Sequence, residues 1–328
     1  GRVMTNTHRA SRQTHLTKAQ MRALATLTLV FVVAIATLIQ ECATNRKDGT
    51  SQQSVSAAAA TTIAADPTKT TVRFLDIGQG DSTIVELPDG KTMIIDAGPR
   101  GSAKTIEAQL KADGRPQVDY LVATHPDADH IGGMAELIAD ADIKSIWAPN
   151  ATNNTETFRN FLNAIDRKGL TITQAVSGTT IAKTDQYSID ILWPPSSAHF
   201  DNTNDYSIII KLTVGEKTFL FTGDAPAALI NQAVKGHTDV LKVSHHGSRT
   251  GTTKKLAAKL SPDYAVMSYA IGNDYGHPHE SVLRALSASH TQVYGTGANG
   301  TVTAITDGST INIYVQKEGT PVAPPKVK

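Results

Sequence analysis

The stretch YLVATHPDADHIGG, residues 120–133, decides how this sequence is interpreted. A short apolar run typical of a buried strand leads into four potential metal ligands in six residues, His125, Asp127, Asp129 and His130. A loop beyond a strand end can turn several side chains toward one point, and mixed imidazole and carboxylate ligands suit Zn²⁺ or Mn²⁺. The stretch therefore predicts a metal site. The alternative is a solvated acidic loop with incidental histidines, which the preceding strand and the two following glycines disfavour.

Short apolar segments bounded by turn residues surround this stretch and predict strands. We expect them at residues 72–77, 83–87, 92–95, 120–123, 188–193, 207–214, 219–221 and 240–243. Pro88-Asp89-Gly90 is typical of a hairpin turn between the second and third of these. Helical periodicity predicts helices at residues 103–112, 132–139, 155–168 and 226–235. Strands partly in hairpins, with helices between them, predict a layered α/β sandwich.

The N-terminal region differs in composition from the rest of the chain. Residues 1–22 are polar and basic, and residues 23–39 (ALATLTLVFVVAIATLI) carry no charge. Seventeen helical residues reach ~26 Å, the short end for spanning a bilayer. The basic flank predicts an anchor with the body outside the cytoplasm, and the alternative is a cleaved signal peptide and a secreted protein. We expect a flexible linker at 40–69, one domain at 70–318 and a disordered tail at 319–328.

Composition excludes some classes of protein. The net charge of +1 hides an asymmetry, because residues 1–66 carry seven Lys or Arg against three Asp or Glu, whereas the remainder carries 24 against 27. The body is therefore not basic, and any nucleic-acid role must rest on the site and not on overall charge. The single cysteine, Cys42, excludes an intrachain disulfide framework and a multi-cysteine zinc cluster.

Seven motifs, in this order, resemble the metallo-β-lactamase superfamily, and within it the hydrolase domain of the competence protein ComEC. They are FLDIGQGDS (74–82), IIDAG (94–98), THPDADHIGG (124–133), NDYS (204–207), LFTGD (220–224), LKVSHHGS (241–248) and YGHPH (275–279). The resemblance covers most of the chain after residue 70 and implies a four-layer αββα sandwich. ComEC also has a polytopic channel region, whereas this sequence offers one apolar segment. We therefore do not expect the chain to form a DNA-uptake channel by itself.

The resemblance also implies a ligand set for two divalent ions. It assigns the first ion to His125 and Asp127, and the second to Asp129 and His130. Asp224 matches the carboxylate that bridges the two ions, which is physically sensible because a shared anion offsets their repulsion; its alternative role is to cap the next helix. Either His245 or His246 completes the second ion. His245 is preferred because it comes first after its strand, and the other histidine then contacts substrate.

Five further positions have roles that remain open. Asn204 is a weak ligand or a hydrogen-bond donor to substrate, and His199, in a polar loop, is expected at the surface. Asp96 matches the carboxylate that orients a ligand histidine. Asp81 either does the same or bonds its own turn. His277 either stabilises charge on the substrate and protonates a leaving group, or packs within its loop.

These assignments imply an extracytoplasmic metallo-hydrolase with Zn or Mn. We expect a metal-bound hydroxide to attack a phosphodiester, such as single-stranded DNA or a cell-wall polymer, with Asp129, His246, His277 and Asn204 as the catalytic residues. One rival keeps the enzyme and changes the substrate, to a cell-wall phosphodiester of phosphorylcholine type, to another ester, or to a β-lactam. The β-lactam is disfavoured because Asp127 stands where those enzymes normally carry histidine. A second rival is a tethered module that binds metal or a partner without catalysis; no obligate protein partner is evident.

Overall fold

The computed structural model describes residues 66–323. Its strands are β1 Thr70–Phe74, β2 Thr83–Glu86, β3 Thr92–Ile95, β4 Gln117–Val118, β5 Tyr120–Val122, β6 Asp142–Ile143, β7 Ile146–Ala148, β8 Ile172–Gln174, β9 Thr180–Lys183, β10 Tyr187–Trp193, β11 Ile209–Val214, β12 Lys217–Phe221, β13 Val240–Lys242, β14 Tyr264–Met267, β15 Gln292–Gly295, β16 Val302–Thr306 and β17 Ile311–Val315. Its α-helices are α1 Ala103–Ala112, α2 Ala128–Ile131, α3 Met134–Asp140, α4 Glu156–Arg167, α5 Ala227–Ala233, α6 Lys254–Leu260, α7 Glu280–Ser287 and α8 Thr296–Asn299.

The strands form two large mixed sheets. The first sheet has the order β17-β16-β1-β2-β3-β5-β7-β8, and the second has the order β15-β14-β13-β12-β11-β10-β9. In both sheets, strands joined by short turns run antiparallel, and the strands separated by helices run parallel (β3-β5-β7-β8 and β12-β13-β14-β15). This difference follows from connection length, because only a helical crossover can return the chain to start a parallel strand.

Three apolar clusters separate four layers. Phe74, Phe219 and Phe221 belong to the cluster between the two sheets, and the rings of Phe74 and Phe221 lie 6.3 Å apart. The outer face of the first sheet packs on α1, α3 and α4, and the outer face of the second packs on α5, α6 and α7. Each fully buried large side chain contributes ~1.5–3 kcal/mol of transfer free energy. The order helix, sheet, sheet, helix confirms the predicted αββα sandwich.

Local sequence explains the elements that flank the site. Helix α4 begins after Thr155, whose hydroxyl accepts a hydrogen bond from the Phe158 N–H. Phe161, Ala164 and Ile165 bury one face at helical spacing. Strand β10 alternates between buried and half-buried residues along its length, as a strand with one face on a core should.

Most predicted elements match the structure, and one differs. The hairpin turn is confirmed, since β2 and β3 pair antiparallel and Leu87 N–H donates to the carbonyl of Lys91 at 2.9 Å. The helix predicted at 132–139 is present as α3, but it begins two residues later than predicted. A short helix that was not predicted, α2, precedes it, and two glycines separate the two helices. At Gly132 a Cβ atom would lie 2.5 Å from the backbone nitrogen of Arg100, so the backbone approaches a neighbouring loop too closely for any side chain.

The predicted basic N-terminus, the apolar segment 23–39, most of the linker and the end of the tail lie outside the described residues. Within residues 66–323, no helix combines the length and apolar character that crossing a membrane requires.

Candidate metal centre

Residues that are far apart in the chain converge beside the ends of three strands. β5 of the first sheet leads into His125, and β12 of the second sheet leads into Asp224. β12 and β13 pair in parallel with Phe221 beside Lys242, so the two segments that follow them leave the sheet together. The second half of the predicted loop is a helical turn, α2, which carries Asp129 and His130.

His130 lies at the centre of the cluster. Its Nδ1 is 2.7 Å from Oδ2 of Asp96, and because a carboxylate only accepts, the proton must be on Nδ1. Its Nε2 therefore faces the cluster, 3.2 Å from Oδ1 of Asp224, but the two atoms lack the geometry of a hydrogen bond. The expectation that Asp96 orients a histidine is confirmed by this contact. Asp224 does not cap the next helix, since Pro226 is the cap residue and no side chain caps α5.

His125 is oriented through the same carboxylate. Thr124 Oγ1 donates its only proton to Asp96 Oδ2 at 2.7 Å, so its 3.0 Å contact with His125 Nδ1 must be one in which the imidazole donates. This places a proton on Nδ1 of His125 and leaves Nε2 directed into the cluster, buried and without a hydrogen-bond partner. Asp96 thus fixes the tautomers of both His125 and His130, one directly and one through a hydroxyl.

His246 faces the cluster from the second sheet. Its Nδ1 donates to the carbonyl of Ser268 at 3.0 Å, and its Nε2 lies 3.1 Å from Oδ2 of Asp129 and 3.5 Å from Oδ2 of Asp224. His245 Nε2 is 3.6 Å from the same Asp224 oxygen, but the side chain is 29% exposed. This geometry favours His246 as the ligand, whereas the sequence favoured His245, and the choice stays a prediction.

Backbone strain concentrates at this site. Five non-glycine residues of the described chain have positive φ, and three of them are Asp96 (59°), His245 (51°) and His246 (53°). Such conformations cost of order 1–3 kcal/mol each and persist where the surroundings impose them. At Gly80 a Cβ atom would lie 2.4 Å from the carbonyl oxygen of Asp129, which explains why the turn before Asp81 is glycine-rich.

The remaining predicted residues lie around the cluster. Asp127 receives a hydrogen bond from Thr203 Oγ1 at 2.8 Å, and its Oδ2 lies 3.7 Å from His125 Nε2. Asn204, next to Thr203, buries an Oδ1 that has no partner. His277 is buried beside the cluster with its ring 6.3 Å from that of His246. His199 is exposed, as expected.

Opposite charges control the titration of the cluster. Burial alone would raise the pKa of Asp224, but positive charge on His130 and His246 keeps that pKa well below its usual value. Burial alone would lower the pKa of His130, but the carboxylates of Asp224 and Asp96 raise it well above 6.5. Burial likewise opposes the charged form of His246, but the carboxylates of Asp224, Asp129 and Asp81 raise its pKa. These buried carboxylates therefore require positive charge nearby, which the imidazoles supply and a divalent cation can supply instead.

His277 behaves differently from the histidines of the cluster. Burial and the charges of His246 and His245 lower its pKa to about 4. Its ring is therefore neutral at neutral pH and its Nδ1 is buried without a partner. A neutral imidazole next to the cluster is suited to hydrogen bonding with a bound molecule.

The donor set fits a divalent cation. His125 Nε2, His130 Nε2 and Asp224 Oδ1 are buried, lack hydrogen-bond partners and belong to one group whose ligand atoms lie within 4.8 Å of one another. Asp129, His130 and His246 form a second group by the same measure. Imidazole nitrogens with carboxylate oxygens are the ligands that Zn²⁺ and Mn²⁺ accept in proteins.

Residues 75–270 match the sequence model of the Metallo-beta-lactamase superfamily. The chain belongs to the metallo-β-lactamase superfamily. It therefore has the fold of a metal-dependent hydrolase, and its His and Asp clusters stand where that fold could hold metal.

Within this superfamily, the chain is similar to ComEC-type competence proteins, as its motifs predicted. It is 29% identical over 253 residues to ComE operon protein 3 of Bacillus subtilis (strain 168), covering 70% of this chain and 32% of that protein. It is 29% identical over 241 residues to Recombination protein 2 of Haemophilus influenzae, covering 70% of this chain and 28% of that protein. The match thus spans about a third of the length of these relatives.

A solved structure agrees on the architecture. The metallo-β-lactamase-fold protein YhfI from Bacillus subtilis superposes with a TM-score of 0.51, covering 72% of this chain and all of that chain at 11% identity. At this level of identity the similarity concerns the fold alone.

Three residues of this candidate metal centre were not predicted from the sequence. Lys242 on β13 contacts both carboxylate oxygens of Asp81, at 2.7 and 2.8 Å, so the carboxylate binds a lysine and forms a hydrogen bond neither to a histidine nor to its own turn, the two roles considered from the sequence. Thr124 and Thr203 hold His125 and Asp127. A lysine within the apolar segment 240–243 was the available signal, because a charge in a buried strand needs a partner.

Proposed function

We propose that this protein is a metal-dependent phosphodiesterase that acts outside the cytoplasm. The observation that carries the proposal is the group of buried, unpartnered ligand atoms on His125, His130 and Asp224, flanked by Asp129 and His246. The external location rests on the apolar segment predicted at residues 23–39.

Following the motifs, we assign the ligand atoms to two sets that share Asp224. One set consists of His125, Asp127 and Asp224, and the second consists of Asp129, His130, His246 and Asp224. We assign His246 and not His245 to the second set, because the Ser268 carbonyl holds its Nδ1 proton and turns Nε2 inward. A backbone carbonyl on the distal nitrogen is a common partner of metal-binding histidines.

Divalent cations held there would activate a water molecule for attack and neutralise charge on a phosphate oxygen. The side chains of the site perform the remaining tasks. The carboxylate of Asp129, 38% exposed, accepts a proton from the attacking water. The ring of His277 donates a hydrogen bond to an oxygen of the phosphoryl group or the leaving group. The amide of Asn204 binds a second substrate oxygen.

The choice of a phosphodiester rests on the carboxylate-rich ligand set. Asp127 adds an oxygen ligand at a position where β-lactam hydrolases normally carry histidine. Oxygen-rich sites suit Mn²⁺ as well as Zn²⁺ and are used for phosphate substrates. The similarity to proteins named for competence and recombination makes a nucleic-acid phosphodiester the first substrate to test.

The test uses the full chain purified in mild detergent. We expect Mn²⁺- or Zn²⁺-dependent cleavage of bis-p-nitrophenyl phosphate or of single-stranded DNA, which EDTA abolishes. Asp224→Asn keeps the size of the side chain and removes its charge, and the double variant Asp129→Ala with His130→Ala removes two ligands. Each should lower kcat/KM by more than ~100-fold, because even residues that only orient ligands cost 10–100-fold.

His199→Ala is the matched control, since this exposed histidine lies outside the cluster and should leave turnover unchanged. Circular dichroism establishes that each variant is folded. Full activity in EDTA, or full activity in the Asp224→Asn variant, would contradict the metal mechanism. Bound metal without turnover of any phosphodiester would instead favour a cell-wall ester or a non-catalytic module.

A further inference from the structure

An exposed loop beside the metal centre carries two large apolar side chains. Five large hydrophobic residues of the described chain are exposed, and two of them, Ile271 (76% exposed) and Tyr275 (65% exposed), lie in the loop at residues 270–277. Single exposed hydrophobic residues need no explanation, but an aromatic ring that leads directly into a candidate active site is a feature of binding surfaces.

The loop is braced in one conformation by Asn273. The Nδ2 group of Asn273 donates to the carbonyls of Ala270 (2.8 Å) and His277 (2.6 Å). Its Oδ1 accepts from the backbone N–H groups of Tyr275 (3.1 Å) and His277 (3.0 Å). A single side chain thus closes the loop with four hydrogen bonds, so Tyr275 is presented to solvent in a preorganised position.

Tyr275 is the outermost member of a row of rings. Its ring stacks on that of His277 with centroids 5.6 Å apart and an interplanar angle of 21°. The ring of His277 in turn stacks toward that of His246, at 6.3 Å and 26°. The row leads from the candidate metal ligand His246 to the exposed face of Tyr275. A planar group that stacks on Tyr275 would therefore become the next ring in the row.

The charges around the loop indicate how a substrate would be oriented. Arg249 is exposed, and its backbone N–H donates to Nδ1 of His279 at 3.2 Å. His279 packs edge-on against His277, with centroids 4.9 Å apart. The exposed carboxylate of Asp274 lies next to Tyr275 in the chain and would repel a phosphate. Anionic groups are therefore expected on the Arg249 side, and an uncharged planar group on Tyr275.

We propose that Tyr275 is a stacking platform for a nucleobase of a single-stranded nucleic acid whose adjacent phosphodiester enters the metal centre, with Arg249 contacting a flanking phosphate. The proposal rests on the proposed phosphodiesterase function and specifies its substrate. Base stacking on an aromatic side chain is tolerant of sequence, since every base has a π-face. This chain should therefore accept single strands of any sequence.

The test compares two oligonucleotides of equal length and charge. One is a single strand that contains the fluorescent base 2-aminopurine, and the other carries abasic sites in place of the central bases. Binding is measured by anisotropy and by 2-aminopurine quenching on the full chain in EDTA, where no cleavage occurs, and kcat/KM is measured on both strands with Mn²⁺.

Tyr275→Ala should weaken binding of the base-containing strand by about 10-fold or more and abolish the quenching. It should leave the abasic strand unaffected. Tyr275→Phe and Tyr275→Trp keep the π-face and should bind as the parent does, whereas Tyr275→Leu keeps apolar area without a π-face and should behave as Tyr275→Ala. Arg249→Gln should weaken the binding of both strands equally and reduce the salt dependence of binding.

Three outcomes would overturn the inference: no binding by the parent chain, an equal effect of Tyr275→Ala on both strands, or parental binding by Tyr275→Leu. The last would instead favour an apolar contact with a membrane or a protein. Failure of the proposed function gives a different result. In that case no variant cleaves either strand with any metal, while the dependence of binding on the base and on Tyr275 persists.

Discussion

Lys242 and Asp81 form a buried ion pair that joins the two sheets beside the candidate metal centre. The Nζ atom of Lys242 lies 2.7 Å from Oδ1 and 2.8 Å from Oδ2 of Asp81, and both residues are at most 4% exposed. Lys242 ends β13 in the second sheet, and Asp81 lies between β1 and β2 of the first. The pair therefore connects the halves of the molecule that supply different ligands.

Breaking this pair should be costly. Lys242→Met leaves the carboxylate of Asp81 buried without its cation, and we expect a loss of ~3–5 kcal/mol in the free energy of unfolding, measured with urea. The double variant Lys242→Met with Asp81→Leu removes both charges and should be more stable than Lys242→Met alone. If the single variant loses less than ~1 kcal/mol, the pair does not join the sheets in the way described.

The hydroxyl of Thr124 should control metal affinity through His125. Thr124→Val keeps the shape of the side chain but removes the group that accepts from His125 Nδ1 and donates to Asp96. We expect the variant to bind Zn²⁺ or Mn²⁺ 10–100-fold more weakly in calorimetric titrations. Thr124→Ser retains the hydroxyl and is the control that should keep parental affinity. Equal affinities for the two variants would exclude this relay.

Variants of the two adjacent histidines should differ in the number of metal ions that they bind. His246→Ala removes a nitrogen that faces Asp129 and Asp224, so we expect the variant to lose one cation per chain when metal is measured by mass spectrometry. His245→Ala should retain the parental content, because its partly exposed ring belongs to no group of converging ligand atoms. The reverse result would restore the assignment that the sequence favoured.

Glu86 should make stability depend on pH. Burial raises the pKa of Glu86 to about 7, although Arg73 opposes the shift. Arg73 Nε lies 3.4 Å from Glu86 but donates to Asp113, which also receives Nη2 at 2.8 Å. The pKa of Glu86 in the folded protein exceeds the reference value of 4.5. The contribution of the protonated side chain to the free energy of unfolding is therefore fully present below pH 4.5, and it is lost as pH rises through about 7.

The Glu86→Gln variant has no ionisable group at this position, so it should not lose stability as the pH rises. At 1.36 kcal/mol per pKa unit, the variant should gain on the order of 1–3 kcal/mol relative to the parent between pH 4.5 and pH 8 in urea unfolding. Glu280→Gln, which changes an exposed helix residue, serves as the control. A constant difference between Glu86→Gln and the parent across this range would show that folding does not shift the pKa of Glu86.

Much of this site could be predicted because its signals are local. A strand, a dense ligand motif and a glycine pair stand together at residues 120–133, and the role of Asp96 followed from its family motif. The contacts of Lys242 and Thr203 could not be predicted, since they join segments whose register is set only when the sheets pack. All three residues of strand β8 are exposed, so the strand lacks the alternation of buried and exposed residues that reveals a strand.

The choice between His245 and His246, which stays a prediction, illustrates a different limit. The preference for His245 assumed that the first histidine after the strand would point into the site. His245 and His246 instead adopt left-handed backbone conformations, with φ of 51° and 53°, which redirect both side chains. No propensity in the sequence SHHG predicts two consecutive non-glycine residues of this kind, because each is intrinsically unfavourable and is imposed by its neighbours.

Because the ligands come from both sheets, the order of synthesis limits when the centre can be complete. A nascent chain that has reached residue 200 contains His125, Asp127, Asp129 and His130 but neither Asp224 nor His246. The early segment can offer only part of a coordination shell, so tight binding must wait until the second sheet has packed against the first. A metal ion bound at this site would consequently be taken from the compartment in which folding ends, and not from the one in which translation begins.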